Sequence, residues 1–281
     1  MGYPSVKLAL RDAAVELQRA GVPTASRDAE LLLMRAVGRD RAWLLTHPNE
    51  GMNSDQFRIF FDWIERRTKQ EPVQYILGET EFYGLTMRVT PDVLIPRPET
   101  EHLVEAALSR VGRGVAVKIC DVGTGSGAIA VAVAHELPRA EVTAVDISAA
   151  ALRVAKENAE RHGVAERIRF VESDLLDAVR GKRFDGVVSN PPYVAEGEVL
   201  EPQVREWEPA LALYAGPTGL EVVRRLIPQA WTALVPNGWL LIEMGQGQRA
   251  AMANMLSDWD AVEFVADLQG IARVAIAQRR A

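Results

Sequence analysis

The chain is poor in the residues that build disulfides and most transition-metal sites. Its 281 residues include one cysteine, Cys120, which excludes an internal disulfide and any cysteine-cluster metal site. Cys120 lies in an apolar stretch that reads as a buried strand, where a thiol packs as a small hydrophobe. The four histidines, His47, His102, His135 and His162, fall at no ligand spacing and read as ordinary helix residues, so no metal is expected. A long apolar run is missing too. Charges break every stretch short of the roughly 18 residues that a membrane helix requires, and no membrane partner is expected. Nor is positive charge in excess: 32 Lys and Arg face 38 Asp and Glu, a net charge of −6. That argues against a strong, sequence-independent grip on a nucleic-acid backbone, and no direct nucleic-acid contact is expected. The amino terminus, MGYPSVKLALRDAAVELQRAG, mixes Lys7, Arg11 and Arg19 with Asp12 and Glu16. It lacks a short apolar core with a small-residue cleavage site, so the expectation is a cytoplasmic protein.

What is present is ordinary globular material, 48% hydrophobic and 25% charged, in a chain long enough for two domains. Residues 5 to about 70 carry helical periodicity. Val6, Leu8, Leu10, Ala13, Ala14 and Leu17 form one stripe; Leu31, Leu32, Met34, Ala36 and Val37 form a second, closed by Gly38 as a C-terminal cap. A short helix over 42–46 follows. A fourth starts at Asn53, with Gln56 as its capping-box partner, and runs through Phe57, Phe60, Phe61 and Ile64. The expectation is a small helical-bundle domain over 1–71. Pro72 ends it, and ETEFYGLTMRVTPDVLIP reads as a β-hairpin linker over 72–97, with Phe82, Leu85, Met87 and Val89 as strand residues and Gly84 at the turn. Pro98, followed by Glu99 and Glu101, suits the start of a helix reaching about residue 110.

From there strands and helices alternate: VAVKICDVG, AIAVAVAHEL, AEVTAVDIS, AALRVAKENAERHG, IRFVESDL and FDGVVSNPPY, then GWLLIEMG and two last strands near VEFVADL and RVAIAQR. Short apolar strands separated by helices imply an α/β domain over 98–281, with a mostly parallel sheet covered on both faces.

The first strand of that series ends in Gly123, Thr124, Gly125, Ser126 and Gly127, directly before a helix. Glycines there let the backbone turn tightly and approach a ligand. The spacing is not the dinucleotide G-x-G-x-x-G, and the Lys and Ser/Thr of a P-loop are absent, so phosphate binding is not the best reading. Plain tight packing is the alternative. The second strand ends in Asp146, about 20 residues beyond the glycines, the interval at which a carboxylate accepts ribose hydroxyls. Its other reading is a helix N-cap, a role that Ser148 also offers to fill. The third ends in Ser173, Asp174 and Leu175. Asp174 is placed to reach an adenine amino group and Leu175 to pack on the ring, with an N-cap as the competing reading of Asp174. All of these stand at the carboxyl ends of strands, where open α/β sheets bind ligands.

The fourth strand runs into Asn190, Pro191, Pro192 and Tyr193. The prolines have no N–H and a fixed φ, so they hold Asn190 and the neighbouring carbonyls rigidly. The Asn190 side-chain oxygen and the Pro191 carbonyl form an acceptor pair for both N–H groups of a planar –NH₂, with Tyr193 stacking on the plane. An amide or aryl-amino nitrogen has a delocalised lone pair. Holding both of its protons so that the nitrogen turns tetrahedral localises that pair for attack on an electrophilic methyl. A strand-ending turn is the bland alternative.

The glycine loop, Asp146 and N-P-P-Y resemble the S-adenosyl-L-methionine-dependent methyltransferases that act on amide or exocyclic amino nitrogens. Further strings narrow the resemblance: EPVQYILG from Glu71, EFYGL from Glu81, LIPRPETE from Leu94, VREWEPALAL from Val204, GPTG from Gly216 and EMGQGQ from Glu243. With the helical amino-terminal region, these look like the bacterial release-factor glutamine methyltransferases over almost the whole chain. Ribosomal-protein glutamine methyltransferases are the runner-up, and amino-methyltransferases of nucleic acid stand behind them.

The resemblance implies a Rossmann-like class I methyltransferase domain with a seven-stranded sheet, and methylation of the N5 amide nitrogen of the glutamine in a Gly-Gly-Gln motif of peptide chain release factors. It implies that Gly123 to Gly127, Asp146, Leu175 and Asn190 contact S-adenosyl-L-methionine. Asn190, Pro191, Pro192 and Tyr193 would hold the glutamine amide, while Phe82 and the segment from Arg97 to Glu101 close over the pocket. For Arg97 the other reading is a solvated side chain in a proline-rigid turn. The helical domain is expected to recognise the protein substrate, and the enzyme to be a monomer. Ala272 and Pro217 depart from the family's usual residues, both off the N-P-P-Y motif.

Overall fold

The computed structural model describes residues 3–111 and 114–281. Contacts divide the chain into two compact units, Met1–Gly78 with Leu200–Trp207, and Glu79–Val199 with Glu208–Ala281.

The first unit contains α1 (Val6–Arg19), α2 (Ala25–Val37), α3 (Arg41–Thr46), α4 (Ser54–Thr68) and α5 (Val73–Leu77). Their ends have local causes. Ser5 and Asp40 accept from backbone N–H groups as N-caps, Asn53 and Gln56 close a reciprocal capping box, and Gly38 takes φ 67° to end α2. Leu17, Leu32, Leu33, Phe60 and Ile64 are buried in one core. Leu8 and Phe61 are exposed instead, because they fall off the arcs set by Val6, Ala9, Ala13 and Leu17 on α1 and by Phe60 and Ile64 on α4. The unit runs to Gly78 rather than 71, since Val73 and Ile76 join the same core. It also takes in Leu200–Trp207, held by two long-range bonds. Arg67 Nη2 donates to Gln203 Oε1 at 3.0 Å, and Trp207 Nε1 donates to the Lys69 carbonyl at 3.1 Å.

In the second unit, β1 (Glu79–Phe82) and β2 (Leu85–Arg88) form an antiparallel hairpin. Its turn residues Tyr83 and Gly84 both have positive φ, as a two-residue hairpin loop demands. After a 3₁₀ turn at Pro98–Thr100 come α6 (Glu101–Ser109), β3 (Val117–Val122), α7 (Ala128–Glu136), β4 (Ala140–Asp146), α8 (Ala149–Arg161), β5 (Ile168–Glu172) and β6 (Phe184–Ser189). Then follow α9 (Pro202–Trp207, in the helical unit), α10 (Ala210–Leu213), α11 (Glu221–Ala233), β7 (Leu234–Glu243), α12 (Arg249–Met255), β8 (Asp260–Ala266) and β9 (Ala272–Gln278).

The seven strands β3 to β9 make one sheet in the order β5-β4-β3-β6-β7-β9-β8. The pairs from β5 to β7 are parallel, and β9 is antiparallel to both its neighbours. Alternation along each strand feeds two cores: Ile119, Val142 and Leu241 belong to one, Cys120, Val145 and Ile242 to the other. The central strands are apolar because both faces are covered. From β3 the chain steps one way to β4 and β5 and then returns to place β6 on the other side, so the switch point lies between β3 and β6. A crevice opens beyond the carboxyl ends of the strands at such a point.

Candidate active site

A cavity of about 280 Å³ occupies that crevice, lined by the loops after β3, β4, β5 and β6. Gly123, Thr124, Gly125 and Ser126 line it. Gly123 and Gly125 adopt φ 72° and 54°, and the N–H groups of Gly123 and Thr124 donate to the Val145 carbonyl, which curls the loop over β4. Gly127 stands apart from the cavity. A Cβ there would lie 2.9 Å from that of Ala155, so glycine is required for α7 to pack on α8 rather than to meet a ligand.

Asp146 lines the cavity and holds the loop. Its Oδ2 accepts from the Gly125 N–H at 2.9 Å and its Oδ1 from the Ser148 N–H at 2.9 Å. Burial raises its carboxyl above the usual range against the pull of these N–H groups. Ser148 is the N-cap of α8, accepting from Ala151, so Asp146 is not needed there. Asp174 and Leu175 also line the cavity. Leu175 has φ 50°, and Asp174 caps nothing: its Oδ2 is paired with Arg225 at 2.6 Å.

Beneath the loop, Asp121 is fully buried. Its Oδ2 accepts from the Thr124 hydroxyl at 2.6 Å and from the Ala130 N–H, while its Oδ1 has no partner. Burial pushes its pKa up to about 7.

Across the cavity, Asn190 and Pro192 line the wall, whereas Pro191 and Tyr193 do not. The Asn190 Nδ2 donates to the Thr100 hydroxyl oxygen at 3.0 Å, which leaves its Oδ1 free to accept. Tyr193 is tightly framed. Gln248 Nε2 donates to its carbonyl at 3.1 Å, and a Cβ on Gly219 would come within 2.4 Å of that oxygen. A Cβ on Gly245 would press on the Tyr193 ring. The exit from the loop is fixed by mutual backbone bonds between Val194 and Leu213–Ala215. Burial pushes the Tyr193 phenol up to about 12, so it stays protonated at neutral pH and cannot serve as a base.

Two residues expected at the pocket do other work. Phe82 is 1% exposed and packs with Met87, Leu103 and Val104 in the core, because the hairpin turns its apolar face onto the sheet unit. Arg97 lies outside the cavity lining. Its Nη2 donates to Glu208 Oε1 at 2.5 Å, and the other oxygen of that buried carboxylate accepts from the Ile95 N–H. Arg97 is thus half-buried and outside the cavity lining, where it neutralises a buried charge.

Thr100, inside the segment from Arg97 to Glu101 expected to close over the pocket, lines the cavity, whereas nothing in the sequence marks Asp121, Arg225, Glu243 or Gln248 as site residues. Glu243 and Gln248 lie in the run EMGQGQ, but nothing local shows where their side chains go.

The residues present fit an adenosine sulfonium. Two glycines let backbone approach, Asp146 lines the cavity with its carboxyl group, and Ile147 and Leu175 offer apolar walls. Among the described residues no group of side chains is arranged to hold a metal ion, and no helix is long and apolar enough to cross a membrane.

Residues 9–78 match the family model of the PrmC N-terminal domain, and residues 100–206 that of the methyltransferase small domain. A release factor glutamine methyltransferase of Koribacter versatilis is 44% identical over 278 residues, covering 98% of this chain and 99% of the relative. One of Geobacter sulfurreducens is 44% identical over 243 residues, 86% of this chain and 84% of its own. Among solved structures, a methyltransferase from Pyrococcus furiosus superimposes with a TM-score of 0.53 at 19% identity, over 71% of this chain and 91% of that one. A T. thermophilus 16S rRNA methyltransferase in complex with AdoMet and guanosine gives 0.54 at 20% identity, over 72% and 50%. These two likenesses reflect the class I methyltransferase fold. The full-length agreement with the curated relatives reaches further: this chain is an S-adenosyl-L-methionine-dependent methyltransferase and belongs to the release factor glutamine methyltransferase family.

Proposed function

We propose that this enzyme methylates the N5 side-chain nitrogen of the glutamine in the Gly-Gly-Gln motif of peptide chain release factors, and so tunes translation termination. The observation that carries the reading is the Asn190 amide. Its Nδ2 is engaged by Thr100 at 3.0 Å, so Oδ1 remains as an acceptor on the wall of the switch-point cavity.

S-adenosyl-L-methionine, when bound, supplies an electrophilic methyl group. The loop from Gly123 to Ser126 and the residues Asp146, Asp174 and Leu175 would hold it. Asn190 Oδ1 and the Pro191 carbonyl would take the two amide protons of the glutamine, and Tyr193 would stack on the carboxamide. The nitrogen's lone pair, delocalised in the free amide, is localised by that geometry, and the acceptors gain most in the transition state. The proton becomes acidic only once the nitrogen has been alkylated, so no strong base is required beforehand, consistent with a Tyr193 phenol held near 12.

The helical unit, Met1–Gly78 with Leu200–Trp207, would recognise the protein substrate, since every residue lining the cofactor cavity belongs to the other unit. A net charge of −6 favours a protein over a nucleic acid as that substrate, and the enzyme would act as a monomer.

The test is a side-by-side assay of release factor, ribosomal protein and DNA with labelled cofactor, followed by mass spectrometry of the products. A single added methyl on the Gly-Gly-Gln glutamine is the expected result. Methylation of ribosomal protein or DNA alone would replace the substrate assignment.

A further inference from the structure

We propose that Thr100 and Glu243 are positioning residues that decide which end of the Asn190 amide faces the substrate. The inference rests on the glutamine-methylation reading above.

A side-chain amide has nearly the same shape in its two orientations, yet they are chemical opposites. With Oδ1 toward the substrate, Asn190 accepts from an –NH₂ group; turned over, it presents N–H to N–H and repels the same group. The choice is made by the partner on the far side. That partner is the Thr100 hydroxyl, 3.0 Å from Nδ2. Thr100 is 3% exposed and stands at the N-cap position of α6, where a threonine ordinarily accepts from the helix backbone, but its side chain makes no capping bond. The hydroxyl is committed elsewhere.

A hydroxyl alone cannot fix the orientation, because it both donates and accepts. A third group must take its one proton. The register of β6 with β7 pairs Ser189 with Ile242 and so brings Asn190 alongside Glu243, and the Thr100 hydroxyl is near enough to the Glu243 carboxyl to oppose the rise in its pKa. A carboxylate only accepts. With its proton given to Glu243, Thr100 keeps only lone pairs for Asn190, and Asn190 must answer with Nδ2.

Glu243 is 2% exposed, and its Oε2 has no partner. Such a group is costly to a fold and calls for a reason beyond packing. Burial pushes it up to about 7, the Thr100 hydrogen bond opposes that, Glu99 adds to it, and Arg273 and Arg97 oppose it. The nearby Tyr193 stays neutral. Protonated, Glu243 becomes a donor, Thr100 is free to donate to Asn190, and the preference for the acceptor orientation is lost.

The experiment compares wild type, Thr100→Val, Thr100→Ser and Glu243→Gln in release-factor methylation, with calorimetric titration of the cofactor to report a folded site. Thr100→Val keeps the shape without the hydroxyl and should lower kcat roughly 10- to 100-fold, the scale for outer partners that orient a reacting group, with cofactor affinity little changed. Thr100→Ser should restore most of the loss. Glu243→Gln should lower kcat similarly and abolish the decline that wild type shows as pH falls through about 7. Wild-type kcat in Thr100→Val, equal losses in the Val and Ser variants, or a wild-type pH profile in Glu243→Gln would each overturn the proposal. Failure of wild type itself to methylate release factor would instead overturn the substrate on which it rests.

Discussion

The helical unit and the sheet unit differ in how completely they pair their buried charges. In the helical unit Arg67 is 1% exposed and every arm of its guanidinium is used: Nε on Asp28 at 2.8 Å, Nη1 on the Glu71 carbonyl, Nη2 on Gln203. In the sheet unit, Asp121 and Glu243 are as deeply buried, but each leaves one carboxylate oxygen without a partner and each is pushed up to about 7. The sheet unit also contains the paired kind, Glu208 with Arg97 and the Ile95 N–H. A saturated buried charge ties distant chain segments together, and the price of removing one partner is the stranded charge left behind. The unsaturated ones stand at the carboxyl ends of β3 and β7, beside the cavity and the Asn190 loop, which is where perturbed groups gather when they serve chemistry.

The contrast breaks first at Arg67. Arg67→Ala strands Asp28 inside the bundle and should cost about 3–5 kcal/mol, measured by urea unfolding. A loss below about 1 kcal/mol, the value of an exposed pair, would make the tie no more than surface decoration.

A smaller effect is expected at Asp146, whose two oxygens hold Gly125 and Ser148 while facing the cavity. Asp146→Ala should weaken cofactor binding by about 1.5–3 kcal/mol, the range for hydrogen bonds to a charged group. Unchanged affinity in a folded variant, by calorimetry, would remove Asp146 from the binding surface.

The smallest effect belongs to Asp121. Its folded pKa, about 7, lies above the ordinary 3.8, so the folded state holds the proton more tightly than the unfolded one. Its contribution to stability is therefore complete below the ordinary value and is lost as pH rises through about 7. Wild type should melt lower at about pH 8 than at about pH 5, and Asp121→Asn should shrink that difference without erasing it, since Glu243 titrates in the same direction. An undiminished difference in Tm would show that Asp121 is already ionised in the fold.

What the sequence discloses divides along the same line. The Asn53–Gln56 capping box, the Gly38 cap, the hairpin turn at Gly84, the apolar central strands and the glycine loop are local patterns, and the structure realises them. The features that escaped are set by partners far along the chain. Gly127 looks like part of a binding loop until Ala155 of α8 is packed against it. Phe82 looks available until the hairpin folds onto the sheet unit. Nothing near Gln203 announces Arg67, and nothing near Thr100 announces Asn190. Side-chain commitments across such separations are fixed by tertiary packing, which periodicity and turn chemistry do not encode.

Asn190 is proposed to act on the chemical step, as an acceptor that activates a glutamine amide. The most direct test is single-turnover methylation of a release factor by Asn190→Ala, followed by mass spectrometry at the Gly-Gly-Gln glutamine, with release-factor affinity measured in parallel. The expected result is a loss of about 10²-fold or more in rate, the scale for removing a preorganised polar group from a transition state, with substrate affinity affected much less. Near-normal methylation by Asn190→Ala would contradict it.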